Sequence, residues 1–169
     1  MRAAVLVTVV LLLGLTSCGG DDAEAASAIS GSVMKAQQSP SSVVGQLLRL
    51  DRAGADCLGK GLVDKIGVDQ LKAYHLLTTD LHPTDVETVS MSKGDAEATT
   101  AVLFGCTDVS AMIRRILGRA KAPKAVKTCV SEALDDRTLR SMFTALFRGE
   151  EEQAKTDLVR KTRTCASRG

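Results

Sequence analysis

The apolar run over residues 3–15 is broken only by Thr8 and Gly14 and preceded by one positive charge at Arg2, and it sets what the rest of the chain can become. This is the layout of a secretory signal peptide. The run falls short of the about 20 apolar residues that a membrane-spanning helix needs. Export places the remainder in an oxidising compartment, where thiols pair. The fold must therefore be compatible with bridging those cysteines that nothing else claims.

The run ends in Leu15-Thr16-Ser17-Cys18, where an ordinary signal would end in an Ala-x-Ala-type site. These four residues resemble the lipobox of bacterial lipoproteins, a leucine, two small residues and a cysteine. The resemblance implies that the Cys18 thiol carries a diacylglycerol and that cleavage after Ser17 removes residues 1–17. Two acyl chains hold stably in a bilayer where one gives only marginal binding, at about 0.8 kcal/mol per buried methylene. It also implies a location on the extracytoplasmic face of a membrane, reached through the N-terminal lipid. With Cys18 acylated, an even set of four remains: Cys57, Cys106, Cys129 and Cys165.

Loss of the signal from a chain of 169 residues leaves enough for one domain with a real core and too little for two. The charge of the full chain is close to balanced, with 22 Lys and Arg against 20 Asp and Glu, and only Arg2 leaves with the signal, which argues against nucleic acid as a partner. Phe104, Phe143, Phe147 and Tyr74 are the only aromatic residues, too few for a sugar- or base-stacking platform. Residues 18–42, rich in Ala, Ser, Gly, Asp and Gln, read as a flexible tether, with a short helix over residues 23–35 as the alternative. Residues 43–169 read as the folded domain.

Helical periodicity dominates that domain. Val43, Val44, Leu47 and Leu48 follow Pro40 and two serines, a helix start. Leu58, Leu62 and Ile66 recur every four residues until Gly67, and a second helix restarts at Val68 carrying Leu71, Tyr74 and Leu77. Residues 78–90 contain His82-Pro83 and read as a loop, with Val86, Val89 and Met91 in a brief extended segment. Ser92 with Asp95 forms a capping signal for a helix reaching Cys106, and Asp108 a cap for the next. There Val109, Met112, Ile113, Ile116 and Leu117 make the clearest amphipathic stripe in the chain. Pro123 suits the first turn of a helix bearing Val126, Cys129, Val130, Ala133 and Leu134. Leu139, Met142, Phe143, Leu146 and Phe147 form another stripe, closed by Gly149. Leu158, Val159, Thr162 and Cys165 then supply the inner face of a last helix. The fold expected is all-α, a compact bundle of about seven short helices.

A weak internal repeat runs through this pattern. The block from Cys57, Cys-Leu-Gly-Lys-Gly-Leu-Val-Asp, aligns with the block from Cys129, Cys-Val-Ser-Glu-Ala-Leu-Asp-Asp, and each is followed by helices ending near a further cysteine. Four cysteines allow three pairings. Equivalent pairing within two pseudo-repeats favours Cys57 with Cys106 and Cys129 with Cys165; the runner-up joins Cys106 to Cys129 and Cys57 to Cys165. All four lie on apolar stripes and are expected to point inward.

Little in the sequence carries chemistry. No two cysteines stand at zinc-ligand spacing and no Cys-x-x-Cys is present, so no metal or cofactor is expected. Ser90-Met91-Ser92-Lys93 offers a serine three residues before a lysine, but Ser92 is already assigned to a cap. His75 and His82 read as loop residues, and Glu150, Glu151 and Glu152 as the negative start of the last helix. The feature that stands out is a basic run, Arg114, Arg115, Arg119, Lys121, Lys124 and Lys127, with no acidic residue between Asp108 and Glu132. It suits lipid headgroups, an anionic envelope polymer or an acidic protein.

The domain also resembles small helical exported proteins of actinobacteria, whose Cys-Val-x-x-x-Leu helix, acidic turn and leucine-rich helix are echoed from Cys129 to Asp136. That resemblance covers about residues 55–165 and implies a helical fold, with no activity or site residue attached. The function expected is a non-enzymatic interaction or structural module of the cell envelope. The alternative is a carrier holding an apolar molecule or lipid between helices, lined by Met112, Met142, Phe143 and Phe147. An enzyme would need the region of His75 and His82 to meet a nucleophile in a cleft.

Overall fold

Short polar side chains punctuate the chain and set where its helices begin. Asp51 accepts a hydrogen bond from the Gly54 amide at 2.8 Å, Ser92 from Asp95 at 3.2 Å, Asp108 from Ala111 at 2.7 Å and Asp135 from Thr138 at 2.8 Å. Each satisfies an amide that the first turn of a helix would otherwise leave unpaired. The computed structural model describes residues 19–38, 49–84 and 89–168. Among these lie eight α-helices: α1 (Gly19–Ala36), α2 (Arg52–Ile66), α3 (Val68–Ala73), α4 (Lys93–Cys106), α5 (Val109–Arg119), α6 (Lys124–Ala133), α7 (Asp136–Phe147) and α8 (Glu151–Thr162). A 3-10 turn, Arg163–Arg168, follows. The only extended pairing among the described residues is a single bridge between Leu77 and Pro83, so the fold is all-α.

Helices α1, α2, α4 and α7 lie side by side, and each runs opposite to its neighbour. Ser30 bonds to Asp56 while Gly59 lies under Ala26, so α1 and α2 are antiparallel. Cys57 bridges to Cys106 and Gly61 packs on Val102, which orients α4 against α2. Thr100 shares a hydrogen bond with Thr144 at 3.0 Å and Phe104 meets Phe143 edge-on at 5.9 Å, which does the same for α7. Leu71, Leu77, Leu103, Val109 and Leu139 are wholly buried at the centre.

Several readings of the sequence are corrected. Residues 19–36, expected as part of a flexible tether with a short helix over 23–35 as the alternative, form a helix docked on the bundle, with Ala25, Ile29 and Ser30 buried. The residues of α1 opposite position 59, Ala26 and Ser30, come so close that only glycine fits there. The second helix of the first half ends at Ala73, so Tyr74 and Leu77 belong to the turn that follows. Val159 is 63% exposed and not on the inner face of α8, because the inward stripe runs from buried Ala154 through half-buried Leu158 and Thr162, and Val159 stands about 100° round from Leu158. Cys165 lies in the 3-10 turn beyond that helix. The signal peptide over residues 1–17, the acylation site Cys18, the helix start expected at Val43, Val44, Leu47 and Leu48 and the extended residue Val86 fall outside the described residues.

Candidate functional site

Both disulfide bonds follow the pairing that the repeat favoured. Cys57 and Cys106 are joined with Cα atoms 5.6 Å apart, and Cys129 and Cys165 with 5.5 Å. Their burial differs from expectation. Cys129 and Cys165 are inside, at 7% and 1% exposure, whereas Cys57 is exposed and Cys106 half-buried. Cys57 sits one turn from Gly61 on the edge of α2 that meets α4, so this bridge runs along the surface.

The basic run folds into a helical hairpin, α5 and α6. Asp108 caps its first helix, Pro123 fixes φ at −54° before its second, and Cys129 ties that second helix to the turn after α8. Only Val109 and Met112 of α5 and Cys129 of α6 are buried; towards the hairpin tip Leu117 is half-buried and Ile116 is 37% exposed. The six cations are not equivalent. Lys127 Nζ donates to the Gly118 carbonyl at 3.0 Å, satisfying an end of α5 and closing the hairpin. Arg114 reaches Asp108 at 3.8 Å. Arg115, Arg119, Lys121 and Lys124 are exposed and have no ion-pair partner among the described residues.

No family model, curated protein or solved structure matches this chain. The arrangement of its own side chains therefore carries the functional argument.

His75 and His82 are both exposed. Ser90 donates to the Arg148 carbonyl at 3.3 Å and Lys93 reaches Glu97 at 3.9 Å, so this serine and lysine are drawn to different partners. Among the described residues no three His, Cys, Asp or Glu side chains converge as metal ligands. Two shallow grooves are open to solvent. One, of about 410 Å³, is lined by Phe104, Cys106, Asp108 and Asp136; the other, of about 510 Å³, by Val89, Gly149 and the Glu150-Glu151-Glu152 cluster. Neither is lined by Met112, Met142, Phe143 or Phe147, which pack into or against the core.

Two carboxylates are held below the usual range by hydrogen bonds. The Ser30 hydroxyl lowers Asp56, helped by Arg52, and the Thr138 hydroxyl and amide lower Asp135. Both fasten structure, the first joining α1 to α2 and the second starting α7.

One signal was missed at the level of sequence. Residues 19–108 carry 7 Lys and Arg against 13 Asp and Glu, whereas residues 109–169 carry 14 against 7. A near-neutral total hides two oppositely charged halves.

Proposed function

We propose that this chain is an envelope lipoprotein, anchored through Cys18 on the extracytoplasmic face of a membrane, whose disulfide-stapled helical domain is a non-enzymatic interaction module. The observation that carries the reading is the mutual pairing of Cys57 with Cys106 and of Cys129 with Cys165. Two bridges suit an oxidising compartment and use every cysteine except the one in the lipobox-like motif. No described helix is long and apolar enough to cross a membrane, so on this reading the lipid does the anchoring. The apolar side chains that a carrier would need in a cavity are engaged in the core.

The test is the intact mass of membrane-extracted protein before and after reduction and alkylation. An N-terminal acylated Cys18 with four thiols blocked until reduction is the expected result, and Cys18→Ser should move the protein out of the membrane fraction. An unmodified Cys18, or four free thiols, overturns the reading.

A further inference from the structure

We propose that the tip of the α5–α6 hairpin, formed by Arg115, Arg119, Lys121 and Lys124, binds a linear polyanion of the envelope. The polymer is one with repeated phosphate or carboxylate groups. This deepens the envelope reading above and rests on it for the place where the polymer is met.

Position comes first. Antiparallel packing carries the chain from Gly19, at one end of the bundle, to Cys106 and Asp108 at the other, level with Ser30 and Asp56. Asp136, the first residue of α7, lines the same groove as Asp108, so both feet of the hairpin stand at that far end. The Cys129–Cys165 bridge fastens α6 to the turn beyond α8 at that end as well. The structure is already helical at Gly19, the residue after Cys18, and the first buried residue is Ala25. Seven residues of helix span only about 10 Å. An anchor at Cys18 thus keeps the acidic end, with Asp21, Asp22 and Glu24 exposed, against the bilayer and sets the base of the cationic hairpin at the opposite end of the bundle.

Chemistry then separates a polymer from a folded partner. Protein interfaces have charge-depleted cores rich in aromatic residues. The hairpin has neither: all four aromatic side chains of the protein are buried or half-buried, and Ile116 is the only large apolar residue exposed on it. What it offers is four cations without a described ion-pair partner, Arg115 and Arg119 one helical turn apart, in a stretch free of acidic residues. A polyanion needs only spaced cations, and its binding is driven by counterion release.

The experiment uses the full lipidated chain inserted by its anchor in phosphatidylcholine vesicles, with fluorescent poly(glycerol phosphate) and fluorescent alginate as probes. Binding of at least one probe is expected, and it should weaken about 50-fold between 50 and 200 mM salt if four cations engage. Reversal of the four residues, Arg115→Glu, Arg119→Glu, Lys121→Glu and Lys124→Glu, should abolish it. Arg115→Gln with Lys121→Gln should lower it at least threefold, while Lys60→Gln with Lys93→Gln, on the acidic half, leaves it within twofold. Equal loss from both glutamine pairs, or no binding of either probe, overturns the proposal. Displacement of the probe by phosphatidylglycerol vesicles as efficient as by unlabelled polymer, at equal anionic-group concentration, replaces it with a lipid surface. The mass at Cys18 is read on the detergent-extracted preparation. An unacylated chain that binds polymer in detergent overturns the anchoring and leaves the hairpin standing.

Discussion

Gly59 lies so close beneath Ala26 that a Cβ at position 59 would stand 2.3 Å from the Ala26 carbonyl oxygen. The contact is with backbone, so α1 or α2 must move to admit even one methyl group. Gly59→Ala is therefore expected to destabilise the docked α1, by about 1–3 kcal/mol as for other overpacked sites. It should also open the α1 segment to trypsin at Lys35. Gly31→Ala is the control: Gly31 is exposed in the same helix with nothing within 4 Å of an added Cβ, so helix propensity should make that change neutral or stabilising by up to about 1 kcal/mol. Equal melting temperatures and digestion rates for the two variants would sink the assignment of Gly59 as the seat of α1.

The second link between these helices depends on ionisation. Asp56 accepts from the buried Ser30 hydroxyl, and its carboxyl is held below 3.8, chiefly by that bond. A depressed carboxylate contributes stability that is complete above its unfolded value and is lost as pH falls through the folded one. The stability difference between the wild type and Ser30→Ala should then be flat from pH 7 to about pH 5 and shrink below about pH 3.8. Thermal melts at stepped pH measure it; a difference that grows on acidification contradicts the linkage.

Unequal burial of the two bridges sets an order of reduction. Cys57 is exposed, whereas Cys129 and Cys165 are 7% and 1% exposed. Limited reductant should open Cys57–Cys106 first, as followed by mass mapping of alkylated thiols. Loss of the inner bridge in Cys129→Ser with Cys165→Ser should cost up to about 4 kcal/mol, the loop-closure value for a separation of 36 residues. Simultaneous opening of both bridges in the native protein would mean that access to the outer one requires global unfolding.

How far the sequence could be read depended on which side of an interaction it displays. The stripe from Val109 to Leu117 and the caps at Ser92 and Asp108 are local in sequence, and their helices stand where periodicity and capping place them. The cysteine pairing was legible through a repeat, because equivalent halves admit equivalent bridges. Docking of α1 was not legible: Ile29 and Val33 are too sparse to mark a packed face, and the close seat of Ala26 and Ser30 depends on a glycine some thirty residues away. The cations of the hairpin were likewise visible as charges, but not that Lys127 serves the Gly118 carbonyl and Arg114 leans on Asp108. Partners distant in the chain are invisible to a pattern that counts neighbours.

Tyr74 offers a sharper test of such distant ties. Its hydroxyl donates to Asp95 at 2.5 Å and accepts from the Ser92 amide at 2.9 Å, so one phenol joins the turn after α3 to the cap of α4. Ser92 itself donates to the same Asp95 oxygen at 2.8 Å, which closes a three-membered network at the helix start. Removing only the hydroxyl, in Tyr74→Phe, keeps the ring packing and leaves the Ser92 amide and the Asp95 carboxylate one partner short. The expected cost is about 1–2 kcal/mol, more than for a lone exposed hydrogen bond because a carboxylate is involved. Ser92→Ala removes the cap and should cost about 1 kcal/mol alone. Because the two side chains share Asp95, the double variant should lose less than the sum of the single losses. Strict additivity in denaturant unfolding would show that Tyr74 and Ser92 act separately on α4.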